Sequence, residues 1–227
     1  MGGPFTPDPL GSTWPSPFPW LSFGFSGPVP GFSLLTVSGP VAEPVDVETA
    51  KRQTRIDYAD EDSLYAIWIP AARQLVEREA ATVMVRQTLQ LALPMWPADG
   101  RVQLPVGPVT AVNSVKYYAP TATGNGTLTT LVEGTDYLTW VEYRPPFVYP
   151  APGHYWPVVQ FGRVPAVLVE FVAGYDAASV PQMMKQAVLM VVAYWARNRG
   201  DVDAPEQMGI PAGARRLIRN LSDIGYR

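Results

Sequence analysis

Val167-Leu168-Val169-Glu170-Phe171-Val172-Ala173-Gly174-Tyr175 decides the class of fold. Val167, Val169, Phe171 and Ala173 alternate with Leu168, Glu170 and Val172, the period of a β-strand, and Gly174 stops the run. Working back from it, Val85–Leu93 is a strand candidate that ends at Pro94 and Pro97, and Val112–Tyr118 is rich in β-branched and aromatic residues. Gly124-Asn125-Gly126 is a hairpin turn, Thr127–Val132 returns from it, and Tyr137–Tyr143 forms a further short strand. No helical period separates these segments, so they read as antiparallel neighbours and not as βαβ units.

Helices flank this region. Asp46 is a candidate N-cap for a helix from Val47 to about Ile56, with Glu48 in its first turn. Asp60, Glu61 and Asp62 crowd the start of a second helix, where the helix dipole favours negative charge. Leu64, Ile67, Trp68, Ala71 and Leu75 follow as one apolar face, and Pro70 is expected to kink or split that helix. Ser179 and Gln182 have capping-box spacing, with Pro181 in the first turn of a helix that is apolar on several sides at Met184, Ala187, Val188, Val191 and Trp195. Arg197 and Arg199 lie in its last turn and Gly200 ends it. Ala214, Leu217, Ile218 and Leu221 make a narrow stripe on a final basic helix, which need not share the main core. The expected class is α+β: a small helical bundle from N- and C-terminal helices, a central antiparallel β subdomain and an extended N-terminal arm. The expected divisions are an arm at 1–40, a domain at 41–200, and a loop with a docking helix at 201–227. Within the domain the helices fall at about 47–57, 60–82 and 180–199, and the β subdomain at about 85–175.

The arm follows from composition. Of 25 Pro in the 227 residues, 9 fall in residues 1–40 together with 7 Gly and 7 aromatics, and Asp8 is the one charge there. Leu10 to Ala42 is uncharged, but its prolines would leave too many unsatisfied backbone groups for a lipid-exposed helix. An export signal needs a basic start, and the first Lys or Arg is Lys51. Such an arm cannot bury its aromatic rings against itself, so another surface must cover them. At polyproline spacing 40 residues reach roughly 120 Å, far beyond one small domain. Trp14, Phe18, Trp20, Phe23 and Phe25 are the expected contacts with neighbouring subunits or other proteins of an assembly.

Chemistry is sparse. There is no Cys, so thiolate metal sites, disulfides and cysteine nucleophiles are excluded, and one His excludes multi-histidine metal sites. His154 sits in a Pro- and aromatic-rich loop, Pro150 to Pro157, with no nucleophile elbow in the chain. Phosphate-loop and dinucleotide glycine patterns are missing. The acidic cluster at 60–62 reads as helix capping before it reads as a metal site. The expectation is a chain without catalytic residues, cofactor or metal. Net charge is −3, with 17 basic and 20 acidic residues, which excludes a strongly basic nucleic-acid coat. Arg outnumbers Lys 14 to 3, a bias towards interfaces.

The order of motifs from about Glu43 to Gly200 resembles the head–tail connector (adaptor) proteins of long-tailed double-stranded DNA phages and gene transfer particles. The resemblance rests on Glu43-Pro44-Val45 with Lys51, Arg55 and Ile56-Asp57, Asp60-Glu61-Asp62, Ala71-Ala72-Arg73 and Glu77. It continues through Gln87-Thr88-Leu89, Leu104-Pro105, Pro108-Val109, Val112 to Tyr117, Asp136-Tyr137 and Trp156-Pro157. The strand Val167 to Tyr175, Val180-Pro181, Lys185, Ala187 and Arg197 complete it. The arm, Pro70 and the aromatic loop Tyr143–Trp156 depart from the family's pattern. The resemblance implies a non-enzymatic ring, typically of twelve subunits, between the portal and a stopper or tail-terminator protein. DNA passes its channel without sequence-specific contact. Location would be the virion neck after assembly in the host cytoplasm, with no membrane partner. Arg215, Arg216, Ile218, Arg219 and Leu221 would dock on the portal. The competing reading is a carbohydrate-binding β module of a tail or baseplate, suggested by the aromatic loops; an enzyme using His154 as base ranks behind both.

Overall fold

The strand read first is the centre of the molecule. In the computed structural model, which describes residues 31–55, 59–198 and 210–225, Val167–Ala173 is a strand whose odd-numbered side chains are all fully buried. We label the elements in chain order: β1 Ser33–Ser38, α1 Val47–Thr54, α2 Asp62–Ala80, β2 Gln87–Leu93, β3 Val102–Gln103 and β4 Val109–Ala119. Then come β5 Thr127–Leu131, β6 Tyr137–Trp140, β7 Phe147–Pro150, β8 Val167–Ala173, α3 Gln182–Arg197 and α4 Ala212–Gly225. The class is α+β as expected.

The main sheet has five antiparallel strands in the order β1-β2-β8-β4-β5. β8 lies between two strands far from it in sequence, with Leu93↔Val167↔Tyr117 at one end and Gln87↔Ala173↔Val109 at the other. A second sheet, β3-β7-β6, covers it. Val102, Leu104, Tyr137 and Val148 join Leu91, Val115, Val169 and Phe171 in one core. Neither β3 nor β7 is visible as a strand in the sequence. β3 has two residues, and β7 is hidden between Pro145-Pro146 and its own Pro150.

Ser33–Ser38, expected as part of the arm, is the edge strand of this chain's own sheet, running from Ser33↔Ala92 to Ser38↔Thr88. It is a proline-free stretch between Pro30 and Pro40, so its backbone donors are available for a ladder.

The helices form a separate core. Asp46 caps α1 as expected: its carboxylate accepts the Thr49 N–H at 2.6 Å, and that bond holds its pKa below the usual carboxylate value. The helix stops at Thr54 because Arg55 turns left-handed, at φ 59°. α2 runs through Pro70 without splitting. Its buried face is Tyr65, Ile69, Ala72, Val76 and Ala80; of the expected face, Trp68 and Leu75 are half-buried beside that core, while Leu64 and Ile67 are exposed, Ile67 at 66%. The helix is apolar on two sides, and packing against α1 and α3 selects the side carrying Tyr65, whose hydroxyl meets Thr54 Oγ1 at 2.5 Å. The expected Ser179 cap is not formed. Ser179 ends a short 3-10 turn, and α3 starts after Pro181 with no side-chain cap. Gly200 lies outside the described residues.

The two cores meet at a waist. Gly174 has φ +105°, and a Cβ there would lie 2.5 Å from the Val85 carbonyl carbon and oxygen. Backbone bonds run from Tyr175 N–H to Met84 O (3.1 Å), Arg86 N–H to Tyr175 O (2.8 Å), Gly174 N–H to Pro108 O (2.8 Å) and Val83 N–H to Gly107 O (2.8 Å). The buried Thr82 hydroxyl donates to Gly107 O at 2.6 Å. Three segments remote in sequence are thus stitched backbone to backbone.

Beside the waist lies a buried cation. Arg73 is 4% exposed, and its Nε and Nη2 donate to the two oxygens of Glu43 at 2.8 and 3.3 Å. Its Nη1 donates to Glu77 at 2.7 Å, and the other Glu77 oxygen accepts the Met84 N–H at 2.8 Å. Burial raises the Glu77 pKa, outweighing the pull of Arg73 and the Met84 N–H. Burial opposes the Arg73 charge, but Glu43 and Glu77 together raise its pKa.

Gly174→Ala should lose about 3 kcal/mol or more, because the new methyl meets backbone and the φ is strained; urea unfolding measures this. Glu77 has a second consequence, for pH. Its folded pKa is raised, so the folded chain holds the proton longer than the unfolded one. Its contribution to stability is present below the unfolded pKa and is lost as pH rises through the folded value. Unfolding titrations of wild type minus Glu77→Gln should therefore decline across that window; a difference that rises with pH contradicts the assignment.

Candidate assembly surfaces

The helical end carries the expected portal-docking helix, and the structure divides its residues. Ala214 and Ile218 are buried against α2 and α3, with Ile218 only 3% exposed, and Ile210 enters the same core. The helix is therefore seated on its own domain and is not a detached element. Its stripe, spaced by four residues, fits the groove between α2 and α3. Ile218 is taken up by this chain's core. Arg215, Arg216 and Arg219 point outward, giving an exposed basic face. The side chain of Leu221 and the arm residues Trp14, Phe18, Trp20, Phe23 and Phe25 lie outside the described residues.

The opposite end of the sheet, where β8 begins, carries a loop from 151 to 166 that is apolar outside and pinned inside. Trp156 stacks on Trp96 with centroids 4.2 Å apart and planes 4° from parallel. Trp156 Nε1 donates to Gly100 O and Trp96 Nε1 to Pro157 O, both at 2.8 Å. Gln160 N–H donates to Tyr118 O at 2.7 Å, and its side-chain oxygen accepts the Thr121 N–H at 2.8 Å. The Arg163 guanidinium lies 3.6 Å over the Tyr118 ring and donates to Asn125 O at 3.0 Å. On this frame stand Tyr155 and Phe161, 93% and 96% exposed, with Val158 and Val164 also exposed. These exposed apolar side chains on a hydrogen-bonded loop make a candidate contact surface. The aromatic loop stands out in the sequence, whereas Val158, Phe161 and Val164 do not. Their signal was apolar residues between Pro157, Gly162 and Pro165 with no strand to enter.

Trp156 is thus a packing residue, engaged on its face and at its N–H, which weakens the sugar-platform reading. His154 is exposed, with Nδ1 3.4 Å from Pro152 O. It borders a cleft of about 310 Å³ with Asp136, whose carboxylate is occupied by the Val132 N–H at 2.7 Å. Among the described residues no group of three or more acidic or His side chains is arranged to hold a metal. Asp62, in the acidic cluster, pairs with Lys51 at 2.6 Å and ties α1 to the start of α2.

No protein-family model matches the chain, and no curated protein does. Solved structures do match. A chain in the neck of an empty gene transfer agent particle, computed with C6 symmetry, superposes with a TM-score of 0.67 at 23% identity, over 83% of this chain and 94% of that one. A chain in the virion of a native gene transfer agent particle matches at TM-score 0.66 and 23% identity with the same coverage. One in the neck of a native particle computed with C12 symmetry gives 0.61 at 22%, again with that coverage. The chain has their fold, and the family resemblance drawn from its motif order is matched at that level.

Trp156→Ala should cost about 3 kcal/mol, since it removes the ring that packs on Trp96 and leaves Gly100 O unpaired. Tyr155→Ala should stay within about 0.5 kcal/mol. Parallel thermal and urea melts of the two variants separate the frame of this loop from its outward face.

Proposed function

We propose that the chain is the subunit of a head–tail adaptor ring in the neck of a phage-like particle. It joins the portal to the stopper or tail-terminator protein and surrounds the path of exiting DNA. The observation that carries this reading is the match of nearly the whole length of a gene transfer agent neck chain to this one. A neck computed with C12 symmetry supports twelve copies. The molecule suits such work: a waist tied by backbone hydrogen bonds, an exposed basic face at one end and exposed apolar residues on a pinned loop at the other. The arginine face of α4 is the portal contact, through Arg215, Arg216 and Arg219, with Leu221 beyond them. DNA is met only non-specifically, in keeping with a net charge of −3. The function is structural, the location is the virion neck, and assembly takes place in the host cytoplasm.

Electron microscopy of chain mixed with portal should show rings seated on the portal. The triple change Arg215→Glu, Arg216→Glu and Arg219→Glu should keep the fold by circular dichroism and lower portal binding at least about tenfold. A chain that stays monomeric beside its portal and is absent from particles overturns the proposal.

A further inference from the structure

A cleft at the loop end has a fitting occupant within the chain itself. It lies between β5 and the residues before Pro157, and Tyr117, Leu131, His154, Tyr155 and Trp156 line it. β5 is an edge strand, paired with β4 alone. The 30 residues that precede the described structure enter it at the same end of the sheet, because Ser33 pairs with Ala92, next to Leu93↔Val167↔Tyr117. They enter at the opposite edge, on β1, four strand spacings or roughly 19 Å away.

That geometry matters in a ring. Identical subunits in a closed ring meet head to tail, through two different faces of the same chain, and the two edges of the sheet are one such pair of faces. With those edges as the meeting faces, a segment leaving the β1 edge would reach the neighbour's β5 edge. The segment has suitable chemistry. Trp14-Pro15-Ser16-Pro17-Phe18-Pro19-Trp20 is uncharged, and proline at every second position is a sequence pattern that favours the polyproline conformation. Aromatic-lined grooves bind such segments, whose ordering cost is already low. From Trp20 to Phe32 the chain can reach roughly 35 Å at polyproline spacing, enough to cross to an adjoining edge.

We infer that Trp14–Trp20 of one copy docks in the Tyr117/Tyr155/Trp156 cleft of the next copy, linking the ring around its loop end. The inference rests on the ring reading, and it names which surface of which neighbour the arm covers.

The chain has no native cysteine, which makes the contact directly testable in the full-length protein. Full-length Ser16→Cys and Thr130→Cys chains are mixed in a glutathione buffer; Thr130 is an exposed residue on the cleft wall. Gln53→Cys, exposed on α1, replaces Thr130→Cys as control. The expected result is a 16–130 linked heterodimer, several-fold above the control, that increases with protein concentration and falls when Tyr155→Ser is added to the Thr130→Cys chain. Ring formation is followed in parallel by light scattering. Rings without the 16–130 link overturn the inference and leave the ring standing. A link that forms within one doubly substituted chain, independent of concentration, overturns the exchange between copies. Linked heterodimers without rings keep the contact and overturn the ring, while neither product overturns both.

Discussion

At Gly174 two backbones touch with no room for a side chain between them, and the rest of the molecule is arranged around that contact. β8 leaves the sheet there and runs against the segment from Thr82 to Arg86, which links α2 to β2. A helical core and a β core that share few side chains are thereby held as one body. The Arg73 cluster adds a second tie at the same level, since Glu77 binds the guanidinium with one oxygen and the Met84 N–H with the other. A buried ion group of this kind contributes little net stability, but each partner left alone would be costly. Its geometry connects the approach to α1, α2 and the waist through Glu43, Arg73 and Met84.

Backbone hydrogen bonds across the waist join the helical end to the loop end. The adaptor role proposed above would require contact surfaces held at fixed separation, and backbone hydrogen bonds do this better than mobile side chains. At the helical end, α4 uses Ala214 and Ile218 to sit on its own core and turns its arginines outward. At the loop end, Trp96, Trp156, Gln160 and Arg163 hold the loop from beneath, leaving Tyr155 and Phe161 in solvent. The same economy appears in the charge pattern. With few charged residues overall, exposed apolar atoms dominate the loop end and basic ones the last helix.

Much of this was legible beforehand, for local reasons. The alternation in β8, the Asp46 cap, the turn at Gly124-Asn125-Gly126 and the apolar α3 each depend on spacing within a few residues. The failures are those where two local solutions were nearly equal. α2 offers an apolar face at Leu64–Ile67–Ala71 and another at Tyr65–Ile69–Ala72, and only contact with α1 and α3 separates them. Ser179 has capping-box spacing, yet Pro181 starts the helix later. Ser33–Ser38 looked like arm because its neighbours on both sides are proline-rich, and its role follows from β2 being there to pair with it. Ile218 could have faced either a partner or its own domain, and the groove between α2 and α3 decides in favour of the domain.

Sequence by itself determined the class of fold, the absence of cysteine and multi-histidine chemistry, the Pro-rich arm with its single charge and the basic last helix, because composition and short periodicities are properties of the chain alone. Tertiary structure alone decided that β8 lies between β2 and β4, that Gly174 meets Val85, which face of α2 is buried, and that the β1 edge and the aromatic cleft lie at one end on opposite sides. Those are pairings between residues tens of positions apart. Their energies depend on which surfaces meet, and no local pattern encodes that choice.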